Sequence, residues 1–132
     1  MTNESESPLV GVGVVIQGDA GILLVRRGKD PGRGLWAVPG GKVDLGEEMK
    51  VAARREVAEE TGLEVEVGDV VWVGEVIEGG YHIVLIDFSG VVSGGDLRPG
   101  DDAEEVRWVS FEEASDLPLT ETMYQLLDTL RP

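Results

Sequence analysis

The stretch GKVDLGEEMKVAARREVAEETGL, residues 41–63, is the most informative part of this chain. It fits the spacing Gly-x5-Glu-x7-Arg-Glu-U-x-Glu-Glu-x-Gly-U, with U an aliphatic residue, at every specified position. The residues at these positions are Gly41, Glu47, Arg55, Glu56, Val57, Glu59, Glu60, Gly62 and Leu63. So many carboxylates at fixed spacing indicate a chemical task, because a folded core has no use for them.

The second half of this stretch predicts a helix that carries an acidic face. Residues 52–60, AARREVAEE, are mostly good helix formers without Gly or Pro, and Gly62 follows as a C-terminal cap. Glu56, Glu59 and Glu60 lie at i, i+3 and i+4 on one face, where like charges destabilise a helix by about 0.2–0.5 kcal/mol per pair. A divalent cation would turn this repulsion into coordination, since carboxylate oxygens suit hard ions such as Mg²⁺ or Mn²⁺.

The plain alternative is a solvated acidic helix face, which is the usual meaning of a charge run. That alternative does not explain why Arg55 stands beside the acids, or why Gly41 and Glu47 precede them at fixed spacing. We therefore favour a metal-binding function over a purely structural acidic domain.

The Gly41–Leu63 stretch resembles the signature of the Nudix hydrolases, which cleave nucleoside diphosphates linked to another moiety, X. The resemblance implies that Glu56, Glu59 and Glu60 bind Mg²⁺, with Mn²⁺ as a substitute, and that the Gly40 carbonyl assists them. It also makes Glu56, Glu59 and Arg55 catalytic, with Glu56 either a metal ligand or the general base. Arg55 would orient a catalytic carboxylate, although an i,i+4 ion pair with Glu59 is the simpler interpretation.

The resemblance assigns further roles outside the helix. Arg27, Gly41 and Glu47 would contribute to substrate binding. Glu47 would also support the metal site from near the start of the helix, where a carboxylate favours the dipole. Asp102 and Glu105 would supply an additional ligand or base. The alternatives are a solvated strand end for Arg27, and a polar loop and strand edge for Asp102 and Glu105.

Composition limits the classes of function. The 132 residues suit a single domain, 1–132, with residues 1–7 as a loose polar tail. With 26 acidic and 11 basic residues the formal charge is -15, which disfavours a nucleic acid polymer or an anionic membrane as partner and makes a cation at a phosphate site more necessary. The N-terminus does not look like a signal peptide and no apolar run is as long as a membrane span, so we expect a cytoplasmic protein.

The order of elements predicts an α/β/α sandwich. We expect a hairpin of residues 9–17 and 21–27, a loop over 28–34, strands over 63–78, 81–88 and 104–109, a loop over 94–102, and a helical turn at 111–114. A C-terminal helix is expected over 120–130, with Thr120 as N-cap. One sheet with a helix on each side is the natural packing, and the resemblance adds that the sheet is mixed. Trp36 is expected to pack beneath the loop that precedes the helix.

The identity of X is not fixed by these residues. We lean to ADP-ribose or a nucleoside diphosphate sugar, with a nucleoside triphosphate sanitising (MutT-type) or dinucleoside polyphosphate hydrolase as alternatives. A nucleotide-binding regulator is the non-enzyme alternative, but no position of the signature has decayed. Isopentenyl diphosphate isomerase shares this fold but relies on a cysteine, and this chain has none. The resemblance also implies that the chain can form a homodimer.

Overall fold

The computed structural model describes residues 7–130, so residues 1–6 of the expected loose tail lie outside the described residues. The described chain contains seven strands and three helices. The strands are β1 Leu9–Gly18, β2 Gly21–Arg27, β3 Trp36–Ala37, β4 Gly40–Lys42, β5 Leu63–Glu78, β6 Tyr81–Gly95 and β7 Ala103–Val109. The helices are α1 Met49–Thr61, α2 Phe111–Asp116 and α3 Glu121–Leu130.

The strands form one mixed sheet in the order β3-β2-β1-β6-β5, with β4 paired to β1 and β7 paired to β2. Strand β1 runs parallel to β6 from Leu9↔Ile83 to Ile16↔Gly90, whereas the other pairings are antiparallel. The expected first hairpin is confirmed, with Gly18 opposite Gly21. The β5–β6 hairpin turns at Gly79 and Gly80, whose φ angles of 53° and 85° suit a two-residue turn that requires positive φ.

Two hydrophobic cores lie on the two faces of the sheet, because side chains alternate along each strand. The α1-side core consists of Val12, Val14, Ile16, Leu23, Ala52, Ala53, Val57, Leu63, Val65 and Phe88. The α3-side core consists of Val15, Ile22, Leu24, Trp36, Val109, Ala114, Leu119, Met123, Leu126 and Leu127. The expected α/β/α sandwich is therefore confirmed. Trp36, only 3% exposed, packs in the α3-side core.

The C-terminal end of α1 agrees with its sequence signal. Gly62 ends α1 in the left-handed region, at φ 76°, and its N–H donates to the Ala58 carbonyl. Loop residues 98–101 add backbone hydrogen bonds to the last turn, to the carbonyls of Thr61, Glu60 and Glu59. These bonds satisfy carbonyls that a helix end leaves unpaired. Strand β7 and the loop before it are thereby tied to the end of α1 that carries the acids.

Two segments differ from expectation. Strand β6 continues to Gly95, seven residues past the predicted end at Phe88, because Ser89–Gly95 pairs with the first half of β5. This part is rich in small residues, and tertiary pairing overrides its weak strand propensity. The passage from Leu35 to Val43, where no strand was predicted, contains the short strands β3 and β4. No helix among residues 7–130 is long and apolar enough to cross a membrane.

Candidate catalytic site

Arg55 connects the acidic residues on and before α1. Its Nε and Nη2 donate to the two carboxylate oxygens of Glu47 at 2.8 and 2.9 Å, forming a bidentate pair. Its Nη1 donates to Glu56 Oε1 at 2.7 Å and lies 3.4 Å from each carboxylate oxygen of Glu59. Nη2 also donates to the Lys42 carbonyl at 3.0 Å. Arg55 thus contacts both Glu56 and Glu59 in one geometry, while its role in orienting a catalytic carboxylate stays a prediction.

Glu47 anchors Arg55. The hydrogen bonds from Arg55 lower the pKa of Glu47 to about 2, with help from the Asp44 N–H, which donates to Glu47 Oε1 at 3.0 Å. In return, Glu47 raises the pKa of Arg55 above its usual range. The pair stays charged at any physiological pH. Because Glu47 lies in the loop before α1 and Arg55 lies on α1, the pair holds the loop against the helix.

Glu60 is buried next to a backbone donor. Glu60 is only 8% exposed, and its Oε1 accepts a hydrogen bond from the Gly40 N–H at 2.8 Å. Burial raises the pKa of Glu60 to about 8 against the opposing effect of that hydrogen bond, and the charge of Glu56 adds to the rise. Without a compensating cation, Glu60 is therefore largely protonated at neutral pH.

Glu56 and Glu59 complete the acidic face. Burial raises the pKa of Glu56, the hydrogen bond from Arg55 lowers it, and the charge of Glu59 raises it. The Glu59 side chain is 47% exposed, which leaves it the most accessible acid of the three. Because the charge of Glu56 affects Glu60 and that of Glu59 affects Glu56, the three carboxylates are close enough to repel one another.

The donor chemistry of this face fits a hard divalent cation, as oxygen ligands are what such ions prefer. Within residues 7–130, however, no group of three or more His, Asp or Glu side chains already has an arrangement that could hold a metal ion. Glu56 is bonded to Arg55 and Glu60 to the Gly40 N–H. Their oxygens would converge on an ion only after side-chain rotation, so the metal assignment of Glu56, Glu59 and Glu60 stays a prediction.

The two glycines before α1 make room for these acids. A Cβ at Gly41 would lie on the Glu56 carboxylate, and one at Gly40 would lie on the Val12 carbonyl. Gly41 is therefore required by Glu56, which explains why the pattern specifies glycine there. For Gly40 the structure shows the N–H in use, while the expected contribution of its carbonyl to a metal stays a prediction.

Replacing Gly41 by alanine should displace Glu56 without disturbing the core. We expect Gly41→Ala to lower kcat about 10- to 100-fold, the usual cost of misplacing a supporting group, with only a small change in thermal unfolding. Steady-state kinetics and a thermal melt measure the two effects. In the double variant Gly41→Ala/Glu56→Asp, the shorter acid leaves room for the added methyl group. Glu56→Asp should therefore cost less activity in this background than in the natural chain. Additive losses of activity from the two substitutions would contradict the assigned contact.

A cationic side faces the acids. The charges of Arg27 and Lys29 both lower the pKa of Glu60, and Lys29 does the same for Glu56. Arg27 is held by its Nε–H, which donates to the Pro31 carbonyl at 2.6 Å. The charge of Arg27 therefore acts on the acidic face, and its expected contact with substrate phosphate stays a prediction. Lys29 was missed, although its position in the loop two residues after Arg27 was a usable signal.

The two acids expected as additional ligands lie in other ion pairs. Asp102 contacts Lys29, with 2.9 Å between Oδ2 and Nζ. Glu105 is bonded to Arg107 at 2.8 Å and lies 3.8 Å from Arg26. Arg26 points to the α3 side of the sheet, so Glu105 is paired away from the α1 acids. The structure does not bring either acid into the Arg55 network, and their role as ligand or base stays a prediction.

Asp87 is a second residue that sequence reasoning missed, after Lys29. It lies on β6, is only 5% exposed, and burial alone raises its pKa to about 6 from 3.8. Among residues 7–130 it has neither a hydrogen bond nor an ion pair. The continuous apolar run around it, YHIVLIDF, gave no sign that one strand acid would be buried.

The raised pKa of Asp87 predicts a stability penalty that grows with pH. The folded state holds the proton more tightly than the unfolded state, so the penalty is absent below about pH 4 and complete above about pH 6, where it is about 3 kcal/mol at most. We expect the unfolding free energy of Asp87→Asn, relative to the natural chain, to rise by about 1 kcal/mol from pH 5 to pH 8. Denaturant melts at several pH values measure this. The exposed control Asp69→Asn should show no such trend, and a flat difference for Asp87→Asn would refute the buried charge.

Comparison with known proteins identifies relatives of the whole described chain. The family model of the NUDIX domain matches residues 7–130. An ADP-ribose pyrophosphatase of Methanocaldococcus jannaschii is 38% identical over 113 residues, covering 84% of this chain and 65% of that protein. A MutT-like protein of Streptomyces ambofaciens is 35% identical over 118 residues, covering 89% of this chain and 73% of its own length. This chain thus spans just under two thirds of the archaeal relative.

A solved structure shows the same fold. The crystal structure of a MutT NUDIX hydrolase from Burkholderia pseudomallei superposes with a TM-score of 0.85 at 32% sequence identity. The superposition covers 96% of this chain and 100% of that one. The mixed sheet with its flanking helices is therefore a shared architecture rather than a local likeness around α1.

Proposed function

Because this chain belongs to the Nudix hydrolase family, we propose that it hydrolyses the pyrophosphate bond of a small nucleoside diphosphate linked to a moiety X. Members of the family act on pyrophosphate bonds and generally use divalent metal ions. We assign Mg²⁺ as the metal, with Mn²⁺ as a substitute. Bound by Glu56, Glu59 and Glu60, the ion would neutralise phosphate charge and lower the pKa of the attacking water.

The observation that supports this proposal most strongly is the network around Arg55. Arg55 holds Glu56 at 2.7 Å while Glu47 holds Arg55 from the other side. Glu56 is thereby fixed in orientation with a raised pKa, which suits a group that accepts a proton from water near neutral pH. The same oriented carboxylate suits either role of Glu56, general base or metal ligand.

The cations of the site would bind the substrate. Arg27 and Lys29 lie near enough to Glu60 to lower its pKa, so a phosphate that binds beside the acids would be attracted by both. Gly41 would let the phosphates approach the backbone, since a side chain there would meet Glu56. The formal charge of -15 makes these few cations and the metal the attractive elements for an anionic substrate.

For X we favour ADP-ribose or a nucleoside diphosphate sugar. The supporting observation is the 38% identity to the archaeal ADP-ribose pyrophosphatase. The likeness to a MutT-like protein and to a MutT NUDIX hydrolase keeps nucleoside triphosphates as the second candidate. A cytoplasmic location and a homodimer fit either substrate and remain parts of the proposal.

A substrate panel tests the proposal. The purified protein is incubated with ADP-ribose, nucleotide sugars, dinucleoside polyphosphates and nucleoside triphosphates, with Mg²⁺ or with EDTA, and the products are separated by anion exchange. We expect Mg²⁺-dependent release of a nucleoside monophosphate, fastest from ADP-ribose or a nucleotide sugar. Tight binding of a nucleotide without turnover would instead indicate a regulator, and release in EDTA would contradict the metal.

A further inference from the structure

Asp87 has no part in the chemistry proposed above, yet it is buried at a cost. Moving an unpaired carboxylate out of water is unfavourable by several kcal/mol unless a partner compensates it. Within the described chain Asp87 has no hydrogen-bond or charge partner. A buried polar group of this kind, beside a site of activity, indicates a ligand that supplies the missing partner.

The backbone is shaped to admit this side chain. Asp87 lies opposite Gly13 in the parallel β1–β6 pairing. A Cβ at Gly13 would lie on Asp87 Oδ1 and 3.0 Å from Val38 Cγ2, so only glycine leaves space for the carboxylate. Val38 packs against the α3-side core, which places Asp87 on the α3 side of the sheet.

A flat apolar surface extends from Asp87 toward the β5–β6 turn. Across the two strands, Trp72 lies opposite Asp87 and Gly74 opposite Leu85, and Ile83 follows on the same face of β6. The Trp72 ring lies over Gly74, because a Cβ there would meet it. Trp72, Leu85 and Ile83 are half-buried. We refer to Trp72, Gly74, Ile83 and Leu85 as the Trp72 shelf.

The Trp72 shelf and the catalytic acids are joined by one short segment. The side chains of Val38 and Asp87 both lie next to Gly13. Two residues after Val38, the Gly40 N–H donates to Glu60. Between them the Pro39 carbonyl accepts from the Val14 N–H at 3.0 Å, which fixes the segment on β1. Glu60 lies on α1, on one side of the sheet, and the shelf lies on the other side, so a nucleotide whose phosphates lie at Glu60 would have to pass Val38 to place its base over the shelf.

We propose that the Trp72 shelf receives an adenine base and that Asp87 accepts a hydrogen bond from its exocyclic amino group. The inference deepens the proposed function and rests on it, since the α1 acids position the pyrophosphate. Apolar surface with one well-placed polar group is how small-molecule sites fix orientation. A carboxylate accepts from the amino group of adenine but meets only lone pairs on the oxo group of hypoxanthine. Asp87 therefore makes the protein select the amino base.

The test compares two substrates that differ only in this group, ADP-ribose and inosine diphosphate ribose. We expect the natural chain to prefer ADP-ribose in kcat/KM by about 10- to 100-fold, as for one charge-assisted hydrogen bond. In Asp87→Asn the amide can accept from the amino group or donate to the oxo group, so the preference should fall to about threefold or less. If Asp87→Asn folds poorly, Asp87→Ser, with its smaller side chain, replaces it in the test and should lose the preference too.

Matched variants separate recognition from general damage. Asp69→Asn, an exposed acid on β5, should keep the full preference for ADP-ribose. Trp72→Phe should raise KM for both substrates while leaving their ratio unchanged, because stacking does not read the amino group. The proposal would be overturned if Asp69→Asn lowered the preference for ADP-ribose in kcat/KM, or if both Asp87 variants kept the full preference.

Binding measurements keep this inference apart from the proposed function. ADP and inosine diphosphate are titrated calorimetrically with Ca²⁺ in place of Mg²⁺. If ADP-ribose is not hydrolysed but ADP binds more tightly than inosine diphosphate through Asp87, the hydrolase assignment fails and base recognition stands. If ADP-ribose is hydrolysed without discrimination, or neither diphosphate binds, the assignment of Asp87 fails.

Discussion

Glu60→Gln is expected to lower kcat by at least about 100-fold while the protein remains folded. Losing a group that only supports a metal ligand typically costs 10- to 100-fold, so losing a ligand itself should cost at least the upper value. Glu60 is buried and its pKa is raised from 4.5 to about 8, so a neutral amide of similar shape should be tolerated, or even stabilising, with a gain that grows between these pH values and is complete above about pH 8. Glu59→Gln should reduce turnover similarly with no gain in stability, because Glu59 is half-exposed.

Kinetics with Mg²⁺ and a thermal melt at pH 8.5 measure these effects. Glu48→Gln is the matched control, since Glu48 precedes α1 without any side-chain capping bond. The control should keep its rate. Turnover at the natural rate in Glu59→Gln and Glu60→Gln would refute the assignment of these acids to the metal.

Arg55→Lys is expected to lower kcat about 10- to 100-fold, despite conserving the charge. A lysine cannot donate to Glu47 in a bidentate manner and to Glu56 and the Lys42 carbonyl at the same time, as Arg55 does. Glu56 would lose its orientation and its hydrogen bond from Arg55. Losing that hydrogen bond also raises the pKa of Glu56 further, so the acidic limb of the pH–rate profile, where Glu56 must give up its proton, should move to higher pH.

The pH–rate profile distinguishes positioning from simple loss of stability. Arg54→Lys is the matched control, because Arg54 is the exposed neighbour of Arg55 on α1. We expect the control to keep both rate and profile. An Arg55→Lys protein with lower kcat and an unshifted profile would show that Arg55 supports the fold alone.

The central part of the site was predictable because it is local in sequence. Glu56, Glu59 and Glu60 share a helix turn, so their common face follows from helix geometry alone. The pairing of Arg55 with Glu59 follows in the same way, as an i,i+4 pair. The hydrogen bond from Arg55 to Glu56 does not, because adjacent helix residues do not face each other, and it was implied only by the family resemblance. The contact between Gly41 and Glu56 was implied only by fixed spacing, and the structure supplies its physical reason.

What could not be predicted depends on contacts between distant segments. Asp87 becomes buried because β6 pairs in parallel with β1, and Gly13 is seventy-four positions earlier in the chain. Lys29 joins the site because the loop after β2 brings its charge close enough to act on Glu56 and Glu60, and Asp102 is paired with it. The extension of β6 to Gly95 likewise depends on β5 rather than on its own small residues. A single sequence carries no direct record of such pairings.

Calorimetric titration of the chelator-treated protein with Mn²⁺ at pH 8 tests most directly whether the acidic face of α1 grips a divalent ion. We predict saturable binding with release of protons, since Glu60 must ionise to bind the metal. In Glu59→Gln/Glu60→Gln the same titration should show affinity at least about 100-fold lower. Equal Mn²⁺ affinity in the two proteins would contradict the account, because the metal would then bind somewhere other than these carboxylates.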